Sequence, residues 1–395
     1  MTPTALVLAG GGARGAYEAG VLRFVLQDLP RRAGLRGPED LPPWIVSGTS
    51  AGALNGVMGG AGLVSRDATR LLATTWQRMR LHHVFRVRPT ELAGAPLRAV
   101  GLGLGKHPSL LDAGPLHRMI RERLPWDQLD RALVRGAVRA LVVTTTEVET
   151  GRTVLFVDQR SGKPLHIPHD EVVVVPGPVR ADHCLASAAM PFLFAPVDVD
   201  GHLLVDGGLR LNTPLSPALR LGGERVLVIS VAPTAGGASG EDRVQAGDLS
   251  LAFLAGKALN ALMLDPVERD LARVRLLNEV FAVGEEVYGD DFLDRVNPVL
   301  QQRRGAPFRK VETLLMRPTE DLSAMAGAAW ASGRVRARPM PHLLLKALAA
   351  SEREDQADLL SFVLFDRAFT GEAEALGYRD ALAREDELAS ILGLG

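Results

Sequence analysis

Short apolar runs that stop at glycines, with helical patterns between them, most constrain what this chain can fold into. The runs are Ala5–Ala9, Ile45–Val46, Ala140–Thr146, Thr153–Val157, Val172–Val175, Leu203–Val205 and Val226–Val231. Near-continuous apolar runs of this kind suit strands buried on both faces. Ala16–Leu29 places apolar residues at 17, 21, 22, 25, 26 and 29, which is one face of a helix. Leu54–Val57 opens another helical stretch, and Arg66–Arg80 continues in that period. Strand, glycine turn and helix in repetition predict an α/β fold, with helices on both sides of a sheet.

From about residue 234 the character changes. Thr234–Gly240 is rich in Gly, Ala and Ser, and a flexible linker is expected over 234–248. Beyond it Leu251–Asp265, Glu268–Asn278 and Met340–Ala350 carry helical patterns. Gln356–Ala368 and Arg379–Leu392 read as helices packed on the main domain. The expected division is therefore a main α/β domain over 1–233, the linker, and a helical C-terminal region over 249–395. No internal repeat is visible.

Composition removes several classes. With 47% hydrophobic and 23% charged residues, the 395-residue chain has too much apolar surface to stay disordered. Lys+Arg 45 against Asp+Glu 46 leaves no basic excess for nucleic acid. One Cys cannot make an intramolecular disulfide or a Cys-based zinc site. The charge is unevenly spread: residues 61–140 hold 14 Lys+Arg against 6 Asp+Glu, and residues 350–395 hold 4 Arg against 11 acids. The two could pair with each other, or the basic stretch could face an anionic partner. Met1–Ala9 lacks a basic leader region and runs into glycines, so it reads as a core strand, not a signal peptide. No stretch reaches 18 uninterrupted apolar residues. The expectation is a cytoplasmic chain for which peripheral membrane contact stays open.

Three constellations carry chemistry. Gly10-Gly11-Gly12-Ala13-Arg14-Gly15 lies between a strand and a helix. Consecutive glycines turn the backbone sharply and point N–H groups outward beside the positive end of a helix, which suits a phosphate or an oxyanion. The spacing also fits a dinucleotide loop, but that would want an acid at the end of the second strand. Trp44-Ile45-Val46 ends instead in Ser47-Gly48-Thr49-Ser50, and no Gly-Lys-Ser/Thr follows to make a P-loop. Gly48-Thr49-Ser50-Ala51-Gly52 is the second constellation, a G-x-S-x-G nucleophile elbow. Its glycines leave room where side chains would collide across the turn. The third is Asp206-Gly207-Gly208, where Leu203-Leu204-Val205 stops. A strand-end Asp on the same sheet edge as Ser50 could take the serine proton, provided desolvation raises its basicity. Of the nine histidines, only His342 is late enough for a Ser, acid, His order, and it opens a helix after Pro339-Met340-Pro341.

The three constellations in this order resemble the patatin-like phospholipases. Ala186-Ser187-Ala188-Ala189-Met190-Pro191 and Asn212-Thr213-Pro214-Leu215 look like the family's segments on either side of its aspartate. The likeness covers about residues 4–231, and the tail Leu360–Ala381 looks like the C-terminal helices of bacterial members. Gly208 stands where many relatives have Ala. The resemblance implies a three-layer α/β/α sandwich with a central mixed, mostly parallel sheet. It implies Ser50 as nucleophile and Asp206 as general base, with no catalytic histidine. The oxyanion hole would come from the Gly10–Gly15 loop, chiefly the N–H groups of Gly11 and Gly12, with Ala13 or Arg14 as further donors. No metal or cofactor is called for. The implied substrate is a phospholipid or other acyl ester, hydrolysed through an acyl-enzyme. Arg86, Arg88 and Arg98, interleaved with Leu81, Phe85 and Leu97, could form a lid on anionic headgroups. An acyltransferase or thioesterase with the same dyad, and a non-catalytic lipid- or partner-binding protein, stay open as alternatives.

Overall fold

Strand β1 (Thr4–Leu8) sends its side chains alternately into two separate cores, Leu6 and Leu8 into one, Ala5 and Val7 into the other. Burial on both faces is why such a run is apolar throughout. The structure is a computed structural model that describes residues 3–87, 111–191, 193–232, 257, 267–336, 339–350 and 357–394. The remaining strands are β2 (Trp44–Thr49), β3 (Val138–Glu147), β4 (Thr153–Gln159), β5 (Val172–Pro176), β6 (Val197–Val199), β7 (His202–Asp206), β8 (Arg225–Ile229) and β9 (Glu312–Met316). They form one sheet in the order β5-β4-β3-β2-β1-β8-β9. β3, β2, β1, β8 and β9 run parallel, β4 returns antiparallel to β3, and the β6–β7 hairpin joins β3 antiparallel.

Helices cover both faces. Ala16–Arg23, Ala51–Gly62 and Arg367–Ala383 pack on the side of Leu6 and Leu8, whereas Leu215–Arg220 and Val267–Tyr288 pack on the side of Ala5 and Val7. The fold is therefore an α/β sandwich with a mixed, mostly parallel sheet and a C-terminal region that is mostly helical. All seven apolar runs are strands. β6 and β9 were not legible from the sequence. β9 adds one strand to the mostly helical region expected after the linker, because residues 312–316 extend the sheet beyond β8. Its side chains alternate between exposed or half-buried and buried positions, the pattern of an edge strand, which short local reading does not separate from a loop. The expected helix Ala16–Leu29 loosens into a wide π-turn at Phe24–Asp28. Gln356–Ala368 breaks at Leu364, after which Asp366 caps the next helix by accepting from Ala368 N–H at 3.0 Å. Leu97, Arg88 and Arg98 of the expected lid, the linker 234–248 and most of Leu251–Asp265 lie outside the described residues. Among those described, no helix is long and apolar enough to cross a membrane.

The C-terminal helix Arg367–Ala383 meets Ala16–Arg23 at backbone contact. A Cβ on Gly20 would lie 1.9 Å from the carbonyl oxygen of Glu374, and one on Gly377 would lie 2.0 Å from that of Tyr17. Arg23 Nε donates to Glu374 Oε1 at 2.5 Å across the same seam. Gly371, on the same helix, faces open space. Gly377→Ala should therefore cost about 1–3 kcal/mol by forcing the helices apart, while Gly371→Ala should gain up to about 1 kcal/mol from helix propensity. Urea denaturation of the two variants checks the opposite signs.

Candidate active site

Two strand ends meet in one lane of the sheet. β2 pairs with β3 as far as Thr49↔Thr144. β7 comes from the other direction and pairs with β3 from Asp206↔Thr145 onward, while β4 occupies the opposite side of β3, with Thr145↔Val154. β2 and β7 thus lie end to end beside β3, and their C-termini face each other. Ser50 follows the last residue of β2, and Asp206 is the last residue of β7.

Ser50 has φ 55° and ψ −124°, a backbone conformation that costs a non-glycine residue about 1–3 kcal/mol. Its surroundings hold it there. The Ser50 N–H donates to Ser187 Oγ at 2.8 Å, and the Ser187 hydroxyl donates to Thr144 O at 2.7 Å, tying the turn to β3. A Cβ on Gly48 would lie 2.6 Å from Gly52 O, and one on Gly52 would lie 2.6 Å from Leu8 O, so both glycines are required by space. Thr49 Oγ1 donates to Leu211 O at 2.9 Å. Helix Ala51–Gly62 starts directly after Ser50 and brings its positive end to the hydroxyl.

Asp206 is fully buried. Its Oδ1 accepts from Gly208 N–H at 2.8 Å, and Oδ2 is buried without a partner that meets full hydrogen-bond geometry. Burial pushes its pKa up to about 7, while the Ser50 hydroxyl and the Gly208 N–H pull the other way. A carboxylate that would normally ionise near pH 4 is here close to half protonated at neutral pH, which raises its strength as a base.

The glycine loop runs beside this pair: a Cβ on Gly10 would come within 3.2 Å of Ser50 Cβ. Asn212 grips Gly10 twice, its carbonyl accepting from Gly10 N–H at 3.1 Å and its Nδ2 donating to Gly10 O at 3.1 Å. The Arg14 N–H donates to Gly11 O at 3.1 Å. Within the loop, Gly10 and Arg14 thus spend their N–H groups on the loop's own support. The N–H groups of Gly11 and Gly12 have no backbone partner among the described residues. The Arg14 side chain turns away into the C-terminal region. Its Nε donates to Ser361 Oγ at 2.7 Å, its Nη2 to Ser323 Oγ at 3.0 Å and Asp358 Oδ1 at 3.3 Å, and its guanidinium lies 4.2 Å over the Phe362 ring. Gly12, at φ +56°, sits so close under Phe362 that a Cβ would be 2.3 Å from its carbonyl oxygen.

Ser50 opens onto an apolar cavity walled by Leu54, Met58, Trp76, Met79, Phe194 and Phe365. Among the described residues no histidine lines it. His342 is exposed, its ring 5.1 Å from that of Trp330. Ser187 and Asn212 stand in segments with a family likeness, but their contacts are set by the packed structure and not by any local pattern. Sequence reading missed the contribution of Ser323, Asp358, Ser361, Phe362 and Phe365, which no local pattern could reveal. It also missed a buried chain behind the glycine loop, in which Trp76 Nε1 donates to Asn55 Oδ1 and Asn55 Nδ2 donates to Glu18 Oε2 and Gly15 O, all at 2.8–2.9 Å. Complete burial drives the Glu18 carboxyl well above its ordinary range, against the pull of the Asn55 hydrogen bond.

Residues 6–219 match the sequence pattern of the patatin-like phospholipase family, described by that name, over more than half of the chain. The chain belongs to that family, a family of lipid hydrolases. Among solved structures it is similar to VipD from Legionella pneumophila, with 14% identity over 91% of this chain and 67% of that one at a TM-score of 0.33. It is also similar to the heterodimeric complex ExoU-SpcU from the type III secretion system of Pseudomonas aeruginosa, with 18% identity over 91% and 69% at a TM-score of 0.26. No curated protein matches the chain.

The raised pKa of Asp206 has a consequence for stability. The folded state holds this proton up to about pH 7, whereas the unfolded chain releases it near pH 4. Between those values the folded state binds more protons, so this group's contribution to stability falls as pH rises. Asp206→Asn should therefore raise the melting temperature at pH 8, with the gain shrinking towards pH 4. Scanning calorimetry across that range reads it directly.

Proposed function

We propose that the protein is a carboxylic ester hydrolase acting on acyl lipids through a Ser50–Asp206 dyad. The observation that carries the reading is the buried Asp206 carboxyl held beside Ser50 at the meeting of two strand ends. In the first step Ser50 Oγ attacks the ester carbonyl carbon while its proton passes to Asp206. The carbonyl oxygen becomes an oxyanion, and the N–H groups of Gly11 and Gly12 are the donors free to receive it. Collapse of this intermediate breaks the ester C–O bond, and Asp206 returns the proton to the departing alcohol. In the second step Asp206 takes a proton from water, whose oxygen attacks the acyl-enzyme. The fatty acid leaves and Ser50 recovers its proton. The apolar cavity beside Ser50 suits an acyl chain.

Ser50→Ala should lose several orders of magnitude in activity and fail to react with a fluorophosphonate probe. Full activity in that variant would sink the proposal. His342→Ala should stay active. For wild type, kcat/KM on a water-soluble ester should rise with pH through an apparent pKa of about 7, because only ionised Asp206 accepts the serine proton. Lipid products separated by mass spectrometry, with and without added alcohol, tell hydrolysis from acyl transfer.

Arg78, Arg118 and Arg123 are exposed and have no ion-pair partner among the described residues, and His82 and His83 lie with them. Met79, Met119 and Leu124 border both this basic surface and the cavity of Ser50. We read the patch as a contact for anionic lipid headgroups that sets the cavity against a membrane. Reversing the three arginines to Glu should abolish pelleting with phosphatidylglycerol vesicles and leave turnover of a soluble ester intact. Equal binding to neutral and anionic vesicles by wild type would refute the patch alone.

A further inference from the structure

Helix Val267–Tyr288 has two apolar faces. One holds the buried Val267, Leu271 and Val274, which pack under the sheet, and the buried Phe281, which meets the Phe308 ring. The other carries Leu276, Val280, Val283 and Val287, which are 59%, 50%, 52% and 63% exposed. At 100° per residue these four fall within an arc of about 60°, on the side of the helix away from the core. Their 4-3-4 spacing is the seam of a helix that packs against another helix. The following helix, Phe292–Arg304, contains no buried residue at all, although Phe292, Leu293, Val296, Val299 and Leu300 lie along it. Six of the eleven exposed large hydrophobic side chains among the described residues belong to these two helices or the residue ending the first. Scattered apolar residues on a surface are ordinary, but a contiguous stripe marks an interaction site.

Charge along the same hairpin indicates what covers it. Its base carries the exposed Arg269, Arg273, Arg275 and Arg303, and its tip carries the exposed Glu286, Asp290, Asp291 and Asp294. The local pairs Arg273–Asp270 at 3.1 Å and Arg295–Asp291 at 3.6 Å are exposed and worth little in water. Glu285 is occupied by Lys310. The stripe is centred near residues 281–282, about equally far from Arg273 and Asp290 along the chain. We propose that this hairpin is the interface of a two-fold dimer, in which a second copy lies antiparallel so that each basic base meets the other's acidic tip. A two-fold axis makes one patch complementary to itself. The stripe is shorter than a standard interface of about 800 Å² per partner, so the expected association is in the micromolar range.

Sedimentation equilibrium of the full chain tests this. Wild type should pass from monomer to dimer over tens to hundreds of micromolar. Val280→Glu and Val283→Glu should each weaken self-association about tenfold or more, with melting temperature unchanged, because both side chains face solvent in the monomer. Reversing the tip (Asp290→Arg with Asp291→Arg) or the base (Arg269→Glu with Arg273→Glu) should weaken it likewise. Mixing the two reversed proteins should restore a mixed dimer, an effect that nonspecific damage would not give. Wild type that stays monomeric throughout overturns the proposal, as do species larger than a dimer or a mixture that fails to associate. A lowered melting temperature in Val283→Glu would mean that the chain covers its own stripe. Loss of vesicle binding in that variant, with no change in mass, would assign the stripe to lipid. Either result also overturns the dimer.

Discussion

The pairing of Ser50 with Asp206 depends on two strands ending against each other in a single lane of the sheet. A parallel sheet delivers strand ends to one edge, where loops can reach one another. Here the edge is used from both directions, because the β6–β7 hairpin turns back and lays β7 in line with β2. The vacancy beside the last residues of β3 is filled by Asp206, and the same position gives it burial on every side. Burial is the source of its basicity. A carboxyl in water would ionise near pH 4 and make a poor acceptor for a hydroxyl proton, so sheet geometry and chemistry are one constraint here.

That arrangement is strained and over-determined. Ser50 occupies a backbone conformation that few side chains tolerate, and two segments distant in sequence brace its turn and the glycine loop beside it. Ser187 takes its N–H, Leu211 accepts from Thr49, and Asn212 closes on Gly10 from the opposite side. Each contact uses a backbone group that burial would otherwise leave unsatisfied. The glycine loop is braced from outside in the same way. Arg14 is a fully buried cation, and such a group is tolerated only with a carboxylate and hydrogen bonds around its fork. Asp358, Ser323 and Ser361 supply these. The C-terminal region is consequently packed into the surroundings of Ser50, since Phe362 touches Gly12 and Phe365 walls the cavity.

The near-zero net charge of the chain also conceals structure. Part of the acidic tail is consumed internally, with Glu374 on Arg23, Asp366 on Arg80 and Glu385 on Arg32. Arg78, Arg118 and Arg123 of the basic stretch stand outside that pairing among the described residues. The sequence left open whether basic middle and acidic tail would neutralise each other. Of the cited pairs only Arg80 belongs to that stretch, while Arg78, Arg118 and Arg123 are presented beside the cavity.

What the sequence determined by itself was local. Seven strands, the helices after the first two, the elbow at Ser50 and the glycine loop were legible because each depends on neighbours in the chain: apolar runs on double burial, and Gly48 and Gly52 on a turn only a few residues wide. The family resemblance extended this to Asp206. What only the tertiary structure decided was non-local. β9 is a strand because β8 offers it an edge, and its own residues carry too short a pattern to demand one. Gly10 and Arg14 commit their N–H groups to Asn212 and Gly11, a pairing no spacing could disclose. Arg14 finds Asp358 more than three hundred residues away, and the base strength of Asp206 follows from its complete burial. Burial and long-range contact are properties of the packed chain, and a sequence records them only where they have also shaped a local pattern.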